Sequence, residues 1–550
     1  MKLITGDPFR QRPGWVTSTF TRFALPFAYD LTPWREASPP TVYAPLRSGG
    51  RRDGFPGWER RAYFTRETAS VLFDRALWLQ LSRADEPGGV LAPFQFDVNY
   101  RGRRIRTCVE PPTIVLFEHA SHEVEPPFNE HARRLLWCGF LLFDLWWPED
   151  ADLGFNELLA INELFRYWRM PFPSHAAQSG YHDILKNAPY SPHRFVGGEP
   201  IGNKGERPYH ERWLRFLRDA PVRLNGQDYR LFPSDWDCPD GKETWATYAD
   251  NRAFVWTCAV VPGGFGALTP PDEPSRHGRW IKLLNVDPPT DWWPAGATTF
   301  EQEWADGKAY TRWLHFGTVY GFNYHAGAML ADECDNPPLS HHFATMYWDQ
   351  VMLLLYVRIG AFRFSTALSS MSERAFREKE HELAHQFSSL RGSFALFTNL
   401  YRFPLLSNQQ QGVELYEKAR RGLDVEELFR EVDQELAAMH NYVEMIAQRR
   451  GNEVQTSLTV VATAAIIVAL ASGLLELWAN RPAALGIRAW LRSLASKSVF
   501  WFLLAFLLVT VLAWLGGPLA RLWQPRAKGW WRRLDKARSR RSAGRRQKDE

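Results

Sequence analysis

Apolar and polar positions alternate with strand-like and helix-like periods over the first two thirds of this chain, and the downstream part is helical. It ends in two uncharged apolar stretches, Val454 to Leu475 and Ser498 to Ala520. They hold 22 and 23 residues, and about 20 residues at 1.5 Å each suffice to cross a bilayer. The pattern therefore predicts two membrane-spanning helices, joined by a loop over 476–497 and preceded by some 450 residues of polar body.

Within that body, residues 1–60 are rich in Pro, Gly and Arg and predict an irregular segment. Residues 61–338 predict a cytosolic α/β body, with its strands in one or two sheets. Apolar runs of strand character fall at Ala76 to Leu81, Thr113 to Phe117 and Leu135 to Trp147, and a helical period follows from Leu153 to Arg169. A Pro-, Gly-, His- and Ser-rich stretch over 171–215 predicts a connection or subdomain boundary. Further strand signals run from Tyr229 through Ala253 to Val261 and from Trp313 to Tyr324.

Residues 339–453 predict a helical region and stalk. Helical periods occupy His341 to Ser369 and Ser372 to Tyr401, and another helix carries Val413, Leu415 and Tyr416. The apolar block Val351 to Val357 lies between Asp349 and Arg358, which makes it too short to span and predicts a buried helix. Val425, Phe429, Val432, Leu436, Met439, Val443 and Ile446 then alternate steps of four and three, the mark of one apolar seam on a helix that packs against other helices. No Pro or clear cap separates this seam from the first apolar stretch, so a single helix is expected from about Asp424 to Leu475.

Charge divides the chain in the same way. The net charge of the 550 residues is +5, yet the tail over 521–550 holds twelve Lys/Arg against three Asp/Glu and the loop over 476–497 is net +3, leaving −7 for residues 1–475. An acidic body excludes a general nucleic-acid binder, and the basic tail beyond the second stretch predicts a cytoplasmic C-terminus. With two crossings the N-terminus is cytoplasmic too, which describes a multi-pass protein of the cell (inner) membrane. Cys108, Cys138, Cys238, Cys258 and Cys334 are odd in number and contain no C-x-x-C pair, so reduced thiols are expected. Lys2 is followed by no apolar run, and no secretory signal is expected.

The residues entering the first stretch, Asn452-Glu453-Val454, Leu458-Thr459, Ala462-Thr463 and Gly473, follow a long helix and precede a second span. In this layout the chain resembles the CorA family of divalent-cation channels over about residues 340–516. Phe397-Thr398-Asn399 and the run from Asn408 to Leu415 add to the likeness. The resemblance implies a homo-oligomer, a pentamer, whose first span lines a pore and whose cytosolic domains sense a ligand. Carried over, it puts Asn452, Gln455, Leu458 or Thr459, Ile466, Ala469 and Gly473 on the pore side, and steps of three and four place these positions on one helical face in any case. Without the resemblance, the same small and hydroxyl residues also describe close helix packing. Where the family carries Gly-Met-Asn, this chain has Glu476-Leu477-Trp478, so Mg²⁺ selectivity does not carry over. A ring of Glu476 carboxylates would instead favour cations in general.

Other constellations compete. His381-Glu382-Leu383-Ala384-His385 matches the H-E-x-x-H pattern, in which two His on one helical face bind zinc and the Glu activates water. In a highly charged helix, with Glu414, Glu417 and His440 the available third ligands, it also describes a solvated helix face. Glu118, His119, His122, Glu123 and Glu125, and again Asp332, Glu333 and Asp335, describe polar loops or weak metal sites. The expected function is an ion channel or transporter gated by its cytosolic body, with no cofactor beyond a permeant or regulatory divalent cation. The alternatives are an effector gated by a nucleotide second messenger in stress or antiviral defence, a non-conducting membrane scaffold and a zinc metallopeptidase.

Overall fold

The computed structural model describes residues 1–8, 18–29, 31–35, 40–46, 58–89, 91–117, 137–166, 220–231, 252–268, 276–289, 295–333, 338–374 and 380–479. The chain divides into two compact units at His440/Asn441. The first unit is built on one fourteen-stranded sheet. In chain order its strands are β1 (Phe20–Tyr29), β2 (Thr32–Pro33), β3 (Thr41–Pro45), β4 (Leu77–Arg83), β5 (Phe94–Tyr100), β6 (Arg103–Val109), β7 (Thr113–Phe117), β8 (Trp137–Trp146), β9 (Val222–Leu224), β10 (Gln227–Arg230), β11 (Phe254–Val260), β12 (Ala309–Tyr310), β13 (Val319–Phe322) and β14 (Ala326–Ala331). Across the sheet they run β12-β13-β14-β11-β1-β8-β7-β4-β3-β9-β10-β2, and the β5–β6 hairpin joins through the end of β8.

The helices are α1 (Trp58–Tyr63), α2 (Arg66–Ser70), α3 (Phe155–Arg166), α4 (Arg276–Asn285), α5 (Thr299–Lys308), α6 (Leu339–His342), α7 (Trp348–Arg374), α8 (Glu380–Tyr401), α9 (Gln410–Gly422) and α10 (Val425–Ala479). A π-helical turn, Phe343–Tyr347, joins α6 to α7. Strand period then decides the layers. Successive side chains of β1 point to opposite faces, so Thr21 and Phe23 meet α3 while Phe20 and Arg22 meet the α6–α7 segment.

On the α3 face Asn162 closes a small polar ring, taking the Thr21 hydroxyl at 2.9 Å and donating to Thr257 Oγ1 at 3.0 Å. On the other face one cross-strand row reads Trp256, Arg22, Asp144. Arg22 donates through Nε and Nη2 to the two Asp144 oxygens, both at 2.7 Å, and through Nη1 to Ala344 O at 3.0 Å. Its guanidinium lies 5.1 Å from the Trp348 ring, and Trp256 stacks on Phe343 at 3.9 Å. A second buried pair, Arg60 to Asp349 at 2.9 and 2.6 Å, ties α1 to α7.

Several expected elements stand where the pattern put them: β7 over Thr113–Phe117, β8 over Trp137–Trp146, α3 over Phe155–Arg166, and Val351 to Val357 buried inside α7. Residues 1–60 require correction. They supply β1, at the centre of the sheet, with β2 and β3, and the first residues are tied in by Leu3 N to Leu153 O and Ile4 N to Val260 O, each 3.0 Å. Pro26 concealed that strand. It is tolerated because β11 pairs with β1 only as far as Ala24, leaving the proline beside one neighbour, β8. As far as His440 the helical region belongs to the same compact unit as the sheet. The expected boundary at 171–215 lies outside the described residues.

Removing one member of a buried ion pair leaves the other charge unpaired in a low-dielectric site. Arg22→Met is therefore expected to destabilise the first unit by about 3–5 kcal/mol, read from chemical denaturation. Arg22→Met/Asp144→Leu should recover most of that loss. A second expectation concerns acid. Burial, with His341 beside it, pushes the His342 imidazole down to about 4. The fold holds it neutral while the unfolded chain binds a proton below about pH 6.5, so its contribution is complete above that pH and is lost as pH falls towards 4. Between pH 7 and pH 5 stability should fall by about 1–2 kcal/mol from this group, and His342→Gln should flatten that part of the profile.

Candidate functional site: a long helix with an unburied apolar segment

Helix α10 begins where the backbone turns sharply. Gly422 ends α9 against the Phe322 carbonyl, where a Cβ would collide, and Asp424 takes a left-handed φ of 54°. Glu426 and Glu427 then sit in the first turn of α10, where carboxylates favour the N-terminal end of the helix dipole. The expected seam is buried as far as Met439, with Val425, Phe429, Val432, Leu436 and Met439 each under 8% exposed, while Val443 and Ile446 are only half-buried. Phe429 stacks on Phe397 at 6.3 Å and meets Phe394 at 5.6 Å, so α8 covers this part of the helix. Arg402 lies over the Phe429 ring at 5.0 Å and holds Glu426 at 2.9 Å.

The second unit begins at Asn441. Here α10 continues without interruption to Ala479, a total of 55 residues, about 82 Å at 1.5 Å per residue. Among the described residues two helical stretches are long and apolar enough to cross a membrane, and they differ in burial. For Leu339–Ser369, 78% of the apolar window is buried; for Val425–Gly473 the figure is 0%. The first is a core helix in which Asp349 is matched by Arg60 and Arg358 by the Tyr324 carbonyl at 2.7 Å. The second exposes Val454, Leu458, Val460, Val461, Ile466 and Val468.

Of the positions expected to face a pore, Asn452, Gln455, Leu458, Thr459, Ile466 and Ala469 are all exposed, and a Cβ built on Gly473 would meet nothing within 4 Å. Asn452, Gln455, Thr459 and Ile466 share one face, whereas Val454, Val461 and Val468, seven apart, share another. The hydroxyls do not stay free. Thr456, Ser457, Thr459, Thr463 and Ser472 each donate to the carbonyl four residues back, at 2.6–2.9 Å. Back-bonding of this kind lets a hydroxyl sit in an apolar medium without an unmet donor. Glu476, Leu477 and Trp478 fall within α10, so the backbone is still helical where the resemblance would end the span.

The H-E-x-x-H residues His381, Glu382 and His385 lie together on α8, and the His385 side chain is exposed. Their possible third ligands are engaged elsewhere. Glu414 accepts from Tyr310 at 2.7 Å, Arg312 at 2.8 Å and Gln410 at 2.9 Å, which holds its carboxyl below the usual range, Arg312 contributing most. Glu417 pairs with Arg420 at 2.8 Å, and His440 Nδ1 lies 3.2 Å from Arg391. Among the described residues no group of three His, Cys, Asp or Glu side chains is placed to hold a metal ion. Asp332 serves its own turn, accepting from Gly263 N and Glu333 N. The cluster Glu118 to Glu125, Asp335, Cys238, Cys334 and the second apolar stretch lie outside the described residues. Cys108, Cys138 and Cys258 are buried and form no disulfide.

Sequence reasoning missed Arg22, Asp144, Arg60 and Asp349, since their partners lie 122 and 289 positions away and no local pattern announces them. No protein-family model, curated protein or solved structure matches this chain.

Proposed function

We propose that this chain is a membrane-embedded, homo-oligomeric ion channel of CorA-like layout. In this reading residues 454–475 line the pore, 498–520 face lipid, and the unit ending at His440 is cytosolic and senses a ligand. The observation that carries the proposal is the contrast along α10: a seam buried as far as Met439, then an apolar segment with no part of its window buried. A segment of that length and composition needs lipid, other helices or both around it. Its two faces differ in the way a pore requires, with Asn452, Gln455 and Thr459 on one side and a row of valines on the other.

Ligand gating follows only from unequal affinity for closed and open states. Helix α10 supplies a continuous element for it, since its first residues pack on α8 and its last form the apolar segment. The ion selectivity differs from that of the family, because no Gly-Met-Asn motif occupies 476–478 and Glu476 supplies the one carboxylate in that run. A non-conducting scaffold is favoured by a different observation, the hydroxyls satisfied within their own helix. Such a face also suits close helix packing.

Flux separates the two readings. The full chain, reconstituted in liposomes as a verified oligomer, is expected to pass monovalent and divalent cations and to show little preference for Mg²⁺ over Co²⁺ or Ni²⁺. No flux of any of these ions, with phosphate or nucleotides added on either side, would leave the scaffold as the function.

A further inference from the structure

We infer that the first unit binds a phosphate-bearing small molecule in a cavity beside its first residues. The backbone there is closely tied: Lys2 forms an isolated antiparallel bridge with Gly154, Phe155 N donates to Met1 O at 3.1 Å, and Gly6 N donates to Trp147 O at 2.7 Å. These ties leave a cavity of about 360 Å³, whose lining includes Lys2, Arg103, Asp152, Asn156, Glu157 and Arg279. Its volume falls at the low end of the roughly 300–1,000 Å³ typical of small-molecule sites, so it can hold more than a bare ion.

The charges indicate the ligand. Three cationic side chains come from three separate parts of the chain, namely the first residues, β6 and α4, against two carboxylates. Arg103 occupies both acids, donating to Glu157 Oε1 at 2.5 Å, to Asp152 Oδ2 at 2.5 Å and to Asp152 O at 2.9 Å. Lys2 has only a loose contact with Asp152, at 3.9 Å. Arg279, half-buried on α4, has no hydrogen-bond or ion-pair partner among the described residues. The cavity thus offers one unmatched guanidinium and one weakly held ammonium, while its carboxylates are already taken. A guanidinium edge matches two phosphate oxygens at once, and Asn156 adds an amide to the wall. A cationic ligand would meet Lys2, Arg103 and Arg279.

This inference does not depend on the channel reading, because binding is measured without transport. The experiment is calorimetric titration of the detergent-solubilised full chain with inorganic phosphate at constant ionic strength, with acetate as the carboxylate control. Saturable binding of one phosphate per chain is expected, tighter than that of acetate. Arg279→Gln should weaken it about tenfold or more, since a charge-assisted pair is lost. Its thermal midpoint should be unchanged, because Arg279 packs without a partner. Asp152→Asn, which removes a competing negative charge from beside Lys2, should tighten phosphate binding. No saturable heat, equal affinity in Arg279→Gln, acetate binding as tightly as phosphate, or weaker binding in Asp152→Asn would overturn the proposal.

Discussion

Arg22 and Asp144 face one another on neighbouring central strands, with side chains 0% and 5% exposed. A buried ion pair is costly to assemble and more costly to break, so what it fixes is geometry. Here it fixes which segment covers that face of the sheet, because the remaining guanidinium donor reaches Ala344 O and the cation lies over Trp348. Helix α7, once seated, presents Gly360 to the Phe397 ring, where any Cβ would collide, and so admits α8 at close range. Phe397 and Phe394 in turn pack on Phe429 at the start of α10. The position of the first turns of α10 thus depends, through three contacts, on a charge pair in the sheet.

The two long apolar helices show how little composition alone decides. Both α7 and the later part of α10 are apolar enough to cross a bilayer. What separates them is the fate of their polar groups. Asp349 and Arg358 on α7 find partners in α1 and in the chain at Tyr324. Between 454 and 475 α10 carries hydroxyls and one amide but no charge, and hydroxyls such as those of Thr459 and Thr463 bond to their own backbone. A charge needs a neighbour to meet it; a back-bonded threonine needs none. The first pattern suits a protein interior and the second a lipid one.

The same logic explains what was legible in the sequence. Strand β7 is apolar after Thr113 and β8 is apolar apart from Asp144, both are buried on both faces, and α10 has a seam of regular period, so local pattern located all three. Strand β1 was obscured because its first half holds Thr21 and Arg22 and its second half holds Pro26, and only distant neighbours make those residues acceptable. The β5–β6 hairpin was hidden by arginines at 103, 104 and 106, although Arg101-Gly102, both with positive φ, marks its turn. At the candidate site the helical face carrying Asn452, Gln455, Thr459 and Ile466 follows from spacing alone. The cavity at Lys2 and Arg279 does not, since its walls come from segments as far apart as residues 2 and 279.

The central claim is that one face of α10 meets water inside a membrane and the opposite face does not. Single cysteines at Ile466 and at Val461, in reconstituted chain lacking the five native cysteines, test it most directly through their reaction with a charged, membrane-impermeant thiol reagent. The account predicts that Cys at 466 reacts and that its modification blocks ion current, while Cys at 461 stays unmodified. Equal reaction at both positions would place the segment in water and contradict the membrane reading; no reaction at either would contradict the pore.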